Sequence, residues 1–247
     1  IPLVPAMIQT TITHHCTRCQ STNIVKNGHN TSGNPQFKCK DCGRCSVLEP
    51  SVPYTEAQKQ HIIDTYLERG SLRAMQRLFG VSPNTLSGWL KKNPKALDDT
   101  ITECQPDDVL ELDELWSYVG CKANKCWLWL ALCRRTRQIV AYALGDRSDI
   151  TATDLRCNLR KGYEQCRSVS DLWPAYAEVF DPDRHLSCAY RGETNHVERF
   201  NATLRNRLGR LTRRTLSFSK SHTMHQAVIH TFLLAYNEQI SKKLESR

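Results

Sequence analysis

The sequence predicts an α/β domain over residues 108–240, preceded by two small modules, and three observations carry that prediction. Residues 109–144 hold three strand-like runs separated by short turns. Two CxxC pairs lie near the start of the chain. Between these regions, three short amphipathic segments are punctuated by Gly70, Gly80 and Ser82-Pro83, the signals of a compact helical unit.

At 247 residues the chain is long enough for a sizeable core and more than one domain. Its net charge of +9 suggests a polyanionic partner, most often nucleic acid. The charge is concentrated: Arg199, Arg205, Arg207, Arg210, Arg213, Arg214 and Lys220 fall in one stretch with no Asp or Glu. The opening Ile1-Pro2-Leu3-Val4-Pro5-Ala6-Met7 lacks the basic start and the apolar length of a secretion signal, and no run approaches a membrane span. With twelve cysteines, the expectation is a reducing cytoplasm, in association with the nucleoid, with thiols that are metal-bound or free and buried.

Residues 12–50 read as a zinc ribbon. Cys16-Thr17-Arg18-Cys19 is followed, after nineteen residues, by Cys39-Lys40-Asp41-Cys42, the spacing of a four-thiolate Zn²⁺ site. Two unrelated cysteine pairs are the plainer alternative, which this spacing disfavours. Four thiolates leave no open position, so the zinc is expected to be structural. Cys45, His14 and His15 are spare ligand candidates.

Residues 54–93 read as a helix-turn-helix. Thr55-Glu56-Ala57-Gln58 is a capping-box pattern before Ile62, Ile63, Tyr66 and Leu67. Ser71 caps a second helix whose Leu72, Met75, Leu78 and Phe79 are expected to face inward, and Ser82-Pro83 starts a third. That third helix would present Asn84, Thr85 and Ser87 to base edges and Lys91 and Lys92 to phosphate. A three-helix bundle without DNA is the bland alternative. Residues 94–107 are polar, contain Pro94 and Pro106, and read as a linker.

The domain at 108–240 begins with Val109 to Gly120, in which Leu110, Leu112, Trp116 and Tyr118 share one face and Glu111 and Asp113 the other. An acid in mid-strand is disfavoured by strand propensity, so Asp113 invites a functional reading. Trp127 to Cys133 is continuously apolar, the mark of a strand covered on both faces, and Gln138 to Leu144 is a third strand. A helix over 151–161, a strand over 165–170 ending at Asp171, a helical turn to Phe180 and a strand over 185–189 follow. The last element before the basic stretch is a helix from Asn195, with Val197, Phe200, Leu204, Leu208 and Leu211 on its apolar face. Glu198, Asn201 and Arg205 form a polar row along the edge of that face. This order fits an RNase H-like mixed sheet of five strands with helices.

In such a sheet Asp113 lies on the central strand and Asp171 at the carboxyl end of its parallel neighbour, where ligands bind. With Glu198 from the packed helix they would form an oxygen-rich site suited to Mg²⁺ or Mn²⁺. Two such ions can activate a water or a 3′-hydroxyl and stabilise the leaving oxygen of a phosphodiester. Glu111 is the rival ligand on the same strand face, Glu114 reads as a solvated neighbour, and an ion pair is the plain alternative for Glu198. No glycine-rich phosphate loop is visible, which argues against ATP use.

The stretches Glu111-Leu-Asp-Glu-Leu-Trp-Ser-Tyr-Val-Gly120, Ser170-Asp171-Leu-Trp-Pro-Ala-Tyr176, Asn195-His-Val-Glu-Arg-Phe-Asn201 and Leu216-Ser-Phe-Ser-Lys-Ser221 resemble transposases of the insertion-sequence-one family. The resemblance extends over the cysteine and helical modules and so covers nearly the whole chain. It implies a DDE transposase that binds double-stranded DNA at element ends, cuts it and joins it to target DNA as a dimer or larger homo-oligomer. It carries Asp113, Asp171 and Glu198 over as metal ligands and places Arg205 at end DNA, with Asn195 and His196 as polar residues before the glutamate. Arg199, Arg207, Arg210, Arg213 and Arg214 are then expected at DNA phosphates. Two rival functions are a zinc-ribbon regulator with an inactive catalytic fold and a nuclease acting on RNA–DNA hybrids.

Overall fold

A computed structural model describes residues 11–30, 33–48, 54–189, 192–212 and 216–246. Arg213 and Arg214 lie outside the described residues. The chain divides into two compact units, 1–56 and 57–247.

In the first unit, β1 (Ile24–His29), β2 (Pro35–Cys39) and β3 (Cys45–Ser46) form an antiparallel sheet in that order. So small a sheet buries little apolar surface and needs a staple. Cys16, Cys19, Cys39 and Cys42 provide one, with all four sulfurs within 4.8 Å of one another. The Cys16–Cys42 and Cys19–Cys39 sulfur separations are 3.6 Å. A tetrahedron of sulfurs about 2.3 Å from a zinc ion has edges of about 3.8 Å. Backbone N–H groups of Cys19 and Arg18 lower the Cys16 thiol to about 6, favouring the thiolate a metal requires.

Three helices follow: α1 (Glu56–Leu67), α2 (Leu72–Phe79) and α3 (Pro83–Lys91). Ile62, Tyr66, Leu67, Met75, Val81, Leu86 and Leu90 are buried. Leu78, expected to face inward, is 68% exposed. Leu72, Met75 and Phe79 already make the inward stripe of this short helix, and Leu78 falls outside it. Ser71 Oγ accepts from Ala74 N–H, and Ser82 Oγ accepts from Thr85 N–H. Gly80 ends α2 at φ +69°, the left-handed conformation that a side chain would strain.

The stretch expected as a linker is packed against the domain. Leu97, Thr100 and Ile101 are buried. The buried amides of Gln138 and Asn237 hold it: Gln138 Oε1 accepts from Thr102 N–H at 3.0 Å, Gln138 Nε2 donates to Thr100 O at 2.9 Å, and Asn237 Nδ2 donates to Thr100 Oγ1 at 3.1 Å. Polar composition concealed this docking because the partners lie 36 to 137 residues away.

The main sheet contains β4 (Val109–Tyr118), β5 (Lys125–Cys133), β6 (Ile139–Gly145), β7 (Arg167–Ser170) and β8 (His185–Ser187), in the order β6-β5-β4-β7-β8. The β4–β5 and β5–β6 pairs are antiparallel, whereas β7 runs parallel to both β4 and β8. One face packs Leu110, Leu112, Trp129 and Ala131 against α4 (Asp149–Cys157) and α5 (Pro174–Val179) through Ala152, Leu155 and Tyr176. The other face carries Glu111, Asp113, Leu115 and Ser117 and lies under α6 (Asn195–Arg207) and α7 (His222–Glu245). Val197, Phe200 and Leu204 of α6 are buried with Val228, Ile229, Phe232 and Leu233 of α7. Helices on both faces explain why β5 is apolar along nearly its whole length.

The helical module joins this body through α3 on α7 and through the end of α6. Arg69 N–H donates to Arg207 O at 2.7 Å. Arg207 pairs with Glu68 and lies 4.7 Å over the Phe232 ring. Arg210 donates to Tyr66 Oη at 2.6 Å and Ser219 Oγ at 2.9 Å. Both arginines were expected at DNA phosphates; their guanidinium groups instead brace the contact between α1 and the end of α6.

Candidate active site

The central strand β4 presents three acids in four residues, and the sheet gives each a different fate. Glu111 is 1% exposed and fully partnered. Arg134 Nε donates to its Oε1 at 2.8 Å, and the first-turn N–H groups of His196 and Val197 donate to its Oε2 at 2.8 and 3.1 Å. It therefore holds the positive N-terminal end of α6 against the sheet. The carboxylate is engaged within the fold, and Arg134 extends the link by donating to Glu193.

Glu114 points to the opposite face. The sequence reading as a solvated neighbour is corrected by its burial, since it accepts from both Arg147 and Tyr176 Oη. Burial raises its carboxyl above the ordinary range despite those partners. The Arg147 guanidinium lies 3.7 Å over the Trp173 ring and 4.8 Å over Trp127. Trp173 N–H donates to Asp171 Oδ1 at 3.0 Å. Glu114, Arg147 and Trp173 thus fix the loop that carries Asp171. No local sequence signal marked Arg147, which lies in a turn 33 residues from its partner.

Asp113 lies between them, on the α6 face. Its Oδ1 accepts from Glu114 N–H at 2.8 Å and its Oδ2 accepts from Asn201 Nδ2 at 2.7 Å. Burial, then the charge of Glu114, with a further contribution from Asp171, raises its carboxyl to about 7. Asp171 is exposed at the carboxyl end of β7. Glu198 is also exposed, in the first turn of α6, and accepts from Thr194 Oγ1 at 2.8 Å. It was expected at the edge of a buried core; the side chain projects outward and back along the helix.

Among the described residues, the cysteine quartet is the one group of three or more such ligands close enough to share a cation. The charge of Asp171, at the end of β7, reaches Asp113 on β4, and Glu198 sits one helical turn before Asn201, which touches Asp113. The donor set is all oxygen; among the described residues Asp113 and Asp171 have no basic partner and the buried Asn201 Oδ1 has no hydrogen-bond donor. Those features fit a hard divalent cation.

The other candidates are dispersed along α6 and α3. Asn195 and Arg199 are exposed, and His196 is half-buried, its ring lowered from its usual range by burial and by Arg137, Arg134 and Arg199. Arg205 Nη1 donates to Leu211 O at 3.1 Å. On α3, Asn84, Lys91 and Lys92 are exposed and a Cβ on Gly88 would meet open space, so this face is clear. Ser87 is half-buried, and the Thr85 hydroxyl turns back to Ser82.

Comparison with known proteins matches residues 108–238 to a family model described as IS1 transposase and residues 9–43 to one described as InsA N-terminal domain, a zinc ribbon. The insertion element iso-IS1n protein InsB of Shigella dysenteriae is 40% identical over 125 residues, 51% of this chain and 93% of that protein. The IS1 protein InsB of Shigella flexneri is 39% identical over 124 residues, 50% of this chain and 92% of its own. The IS1 4 protein InsB of Escherichia coli (strain K12) is 37% identical over 124 residues, covering 50% and 72%. The first family match takes in the central sheet, both flanking helix layers and all three candidate acids, and this chain belongs to the IS1 transposase family.

Proposed function

We propose that this chain is a DNA transposase that binds insertion-sequence ends and catalyses metal-dependent strand cleavage and strand transfer. The observation that carries the reading is Asp113, a largely enclosed carboxylate on the central strand, within reach of the charge of Asp171 and joined to the Glu198 helix through Asn201. Three antiparallel strands followed by two parallel ones, with helices on both faces, support an RNase H-like assignment. The caps, the glycine turn and the open face of α3 support a helix-turn-helix.

Asp113, Asp171 and Glu198 would hold Mg²⁺ or Mn²⁺. When bound, a pair of such ions supplies an activated attacking oxygen and stabilises the leaving oxygen. The protein's own contribution is placement. Glu111 and Arg134 set the N-terminus of α6, and the Glu114–Arg147–Trp173 stack sets the Asp171 loop. Arg199, exposed next to Glu198 in the chain, would meet phosphate, and Asn84, Ser87, Lys91 and Lys92 would meet end DNA; the exposure of Arg199, Asn84, Lys91 and Lys92 supports this. Holding two ends together calls for a second copy of the chain.

The test is a joining assay with a labelled end duplex, target DNA and Mg²⁺. Wild type should nick and join 3′ ends; Glu198→Gln should lose both while retaining end binding. A wild-type protein that binds ends and never cuts them in Mg²⁺ or Mn²⁺ would overturn the reading in favour of a regulator.

A further inference from the structure

Asn201 stands out in the described structure. It is 8% exposed, lies on the inner side of α6, and its amide nitrogen is fixed by the 2.7 Å bond to Asp113 Oδ2. Its carbonyl oxygen is buried and has no hydrogen-bond partner among the described residues. Leaving such an acceptor desolvated costs about 1–3 kcal/mol, so folded proteins rarely tolerate one without a reason. Turning the amide over does not help, because its oxygen would then face a carboxylate. Two neighbouring features sharpen the point. Glu198 lies one helical turn earlier on the same helix, exposed at the rim beside the buried Asn201. Glu111 and Asn201 tie α6 to β4 on either side of Glu198, fixing the helix along its axis and about it.

We propose that Asn201 is a further member of the divalent-cation site: its carbonyl oxygen is an oxygen donor to a cation held by Asp113, while its amide N–H keeps the Asp113 carboxylate turned toward that cation. This rests on the reading of Asp113 as a metal ligand. A carboxamide oxygen is an ordinary donor for hard cations and adds no negative charge to a site that already gathers several carboxylates. That explains an asparagine here instead of a fourth acid.

The test is Mn²⁺ binding to the full zinc-loaded chain without DNA, followed by calorimetry and by the loss of the free-ion electron paramagnetic resonance signal. Asn201→Ala removes both the oxygen and the N–H, and should weaken Mn²⁺ binding roughly 10- to 100-fold. Asn201→Asp keeps an oxygen donor but cannot donate to Asp113. It should bind Mn²⁺ as tightly as wild type or more tightly. If Asn201 served only to brace Asp113, the aspartate would be as damaging as the alanine. Asn201→Ser, which retains a small oxygen donor, gives a second comparison if the alanine variant unfolds, and should fall between wild type and alanine. Asp113→Asn separates the two claims. If wild type binds Mn²⁺, Asp113→Asn does not, and Asn201→Ala binds like wild type, the Asn201 assignment is wrong and the metal site stands. If Asp113→Asn binds like wild type, the metal-site reading itself fails.

Discussion

Asp113 is a carboxylate whose surroundings penalise its charge, and that makes its retention informative. Burial and the charge of Glu114 raise it to about 7, so ionising it in the absence of a cation works against the fold. Asp113→Asn should therefore leave cation-free stability unchanged or raise it, by about 2–4 °C in Tm for each kcal/mol gained, while strand transfer is lost. A fall of several degrees would mean that Asp113 is held for structure. His225 gives a second residue-scale prediction. It is 1% exposed between Ser117 Oγ and Ser219 Oγ, and burial, with Arg210 and His222 nearby, lowers its ring to about 4. A base depressed in the folded state is neutral there and gains its proton on unfolding. Its contribution is therefore full above pH 6.5 and is lost as pH falls from 6.5 toward 4, by on the order of 3 kcal/mol. Urea unfolding at pH 7 and pH 4.5 should show that loss, and His225→Gln should flatten the difference.

At the scale of elements, α6 is placed by a single buried carboxylate. Glu111→Ala would strand the His196 and Val197 amides and the Arg134 guanidinium, costing about 3 kcal/mol; Arg134 is one-third exposed and can rehydrate, which keeps the figure at the low end. Glu111→Gln should cost less, and equal loss in both variants would argue against helix anchoring. Much of the element framework was legible beforehand. The alternation in β4 separated Glu111 and Asp113 from Leu110 and Leu112, the uninterrupted apolar run gave β5, and the three-and-four spacing of Val197, Phe200 and Leu204 gave α6. Fates of individual polar residues were not legible, because partners distant in sequence decide them. Glu114 is buried by Arg147 and Tyr176, 33 and 62 residues away, and Asn201, conspicuous in the sequence only as part of a polar row, meets Asp113 across 88. Arg207 and Arg210 look like the rest of a basic stripe, yet Glu68 and Tyr66 engage them, 139 and 144 residues away.

Across the whole molecule, those two arginines make the helical module and the sheet domain mechanically continuous within the second unit, so that in the proposed function DNA held by one would be presented to the other at a set distance. Arg210→Ala should lower the melting temperature and leave the salt dependence of end binding unchanged. An arginine contacting phosphate would instead lower the slope of log affinity against log salt by about one. The cysteine unit has a separate source of stability, and stripping its metal with a chelator should unfold residues of the first unit without lowering the melting transition of the second. The most direct test of the central claim is anomalous diffraction from Mn²⁺ in crystals of the chain bound to an end duplex. Manganese peaks are expected within ligand distance of Asp113, Asp171 and Glu198, about 2.0–2.6 Å from their carboxylate oxygens. Saturating Mn²⁺ with no peak at those residues, or peaks elsewhere on the protein alone, would contradict it.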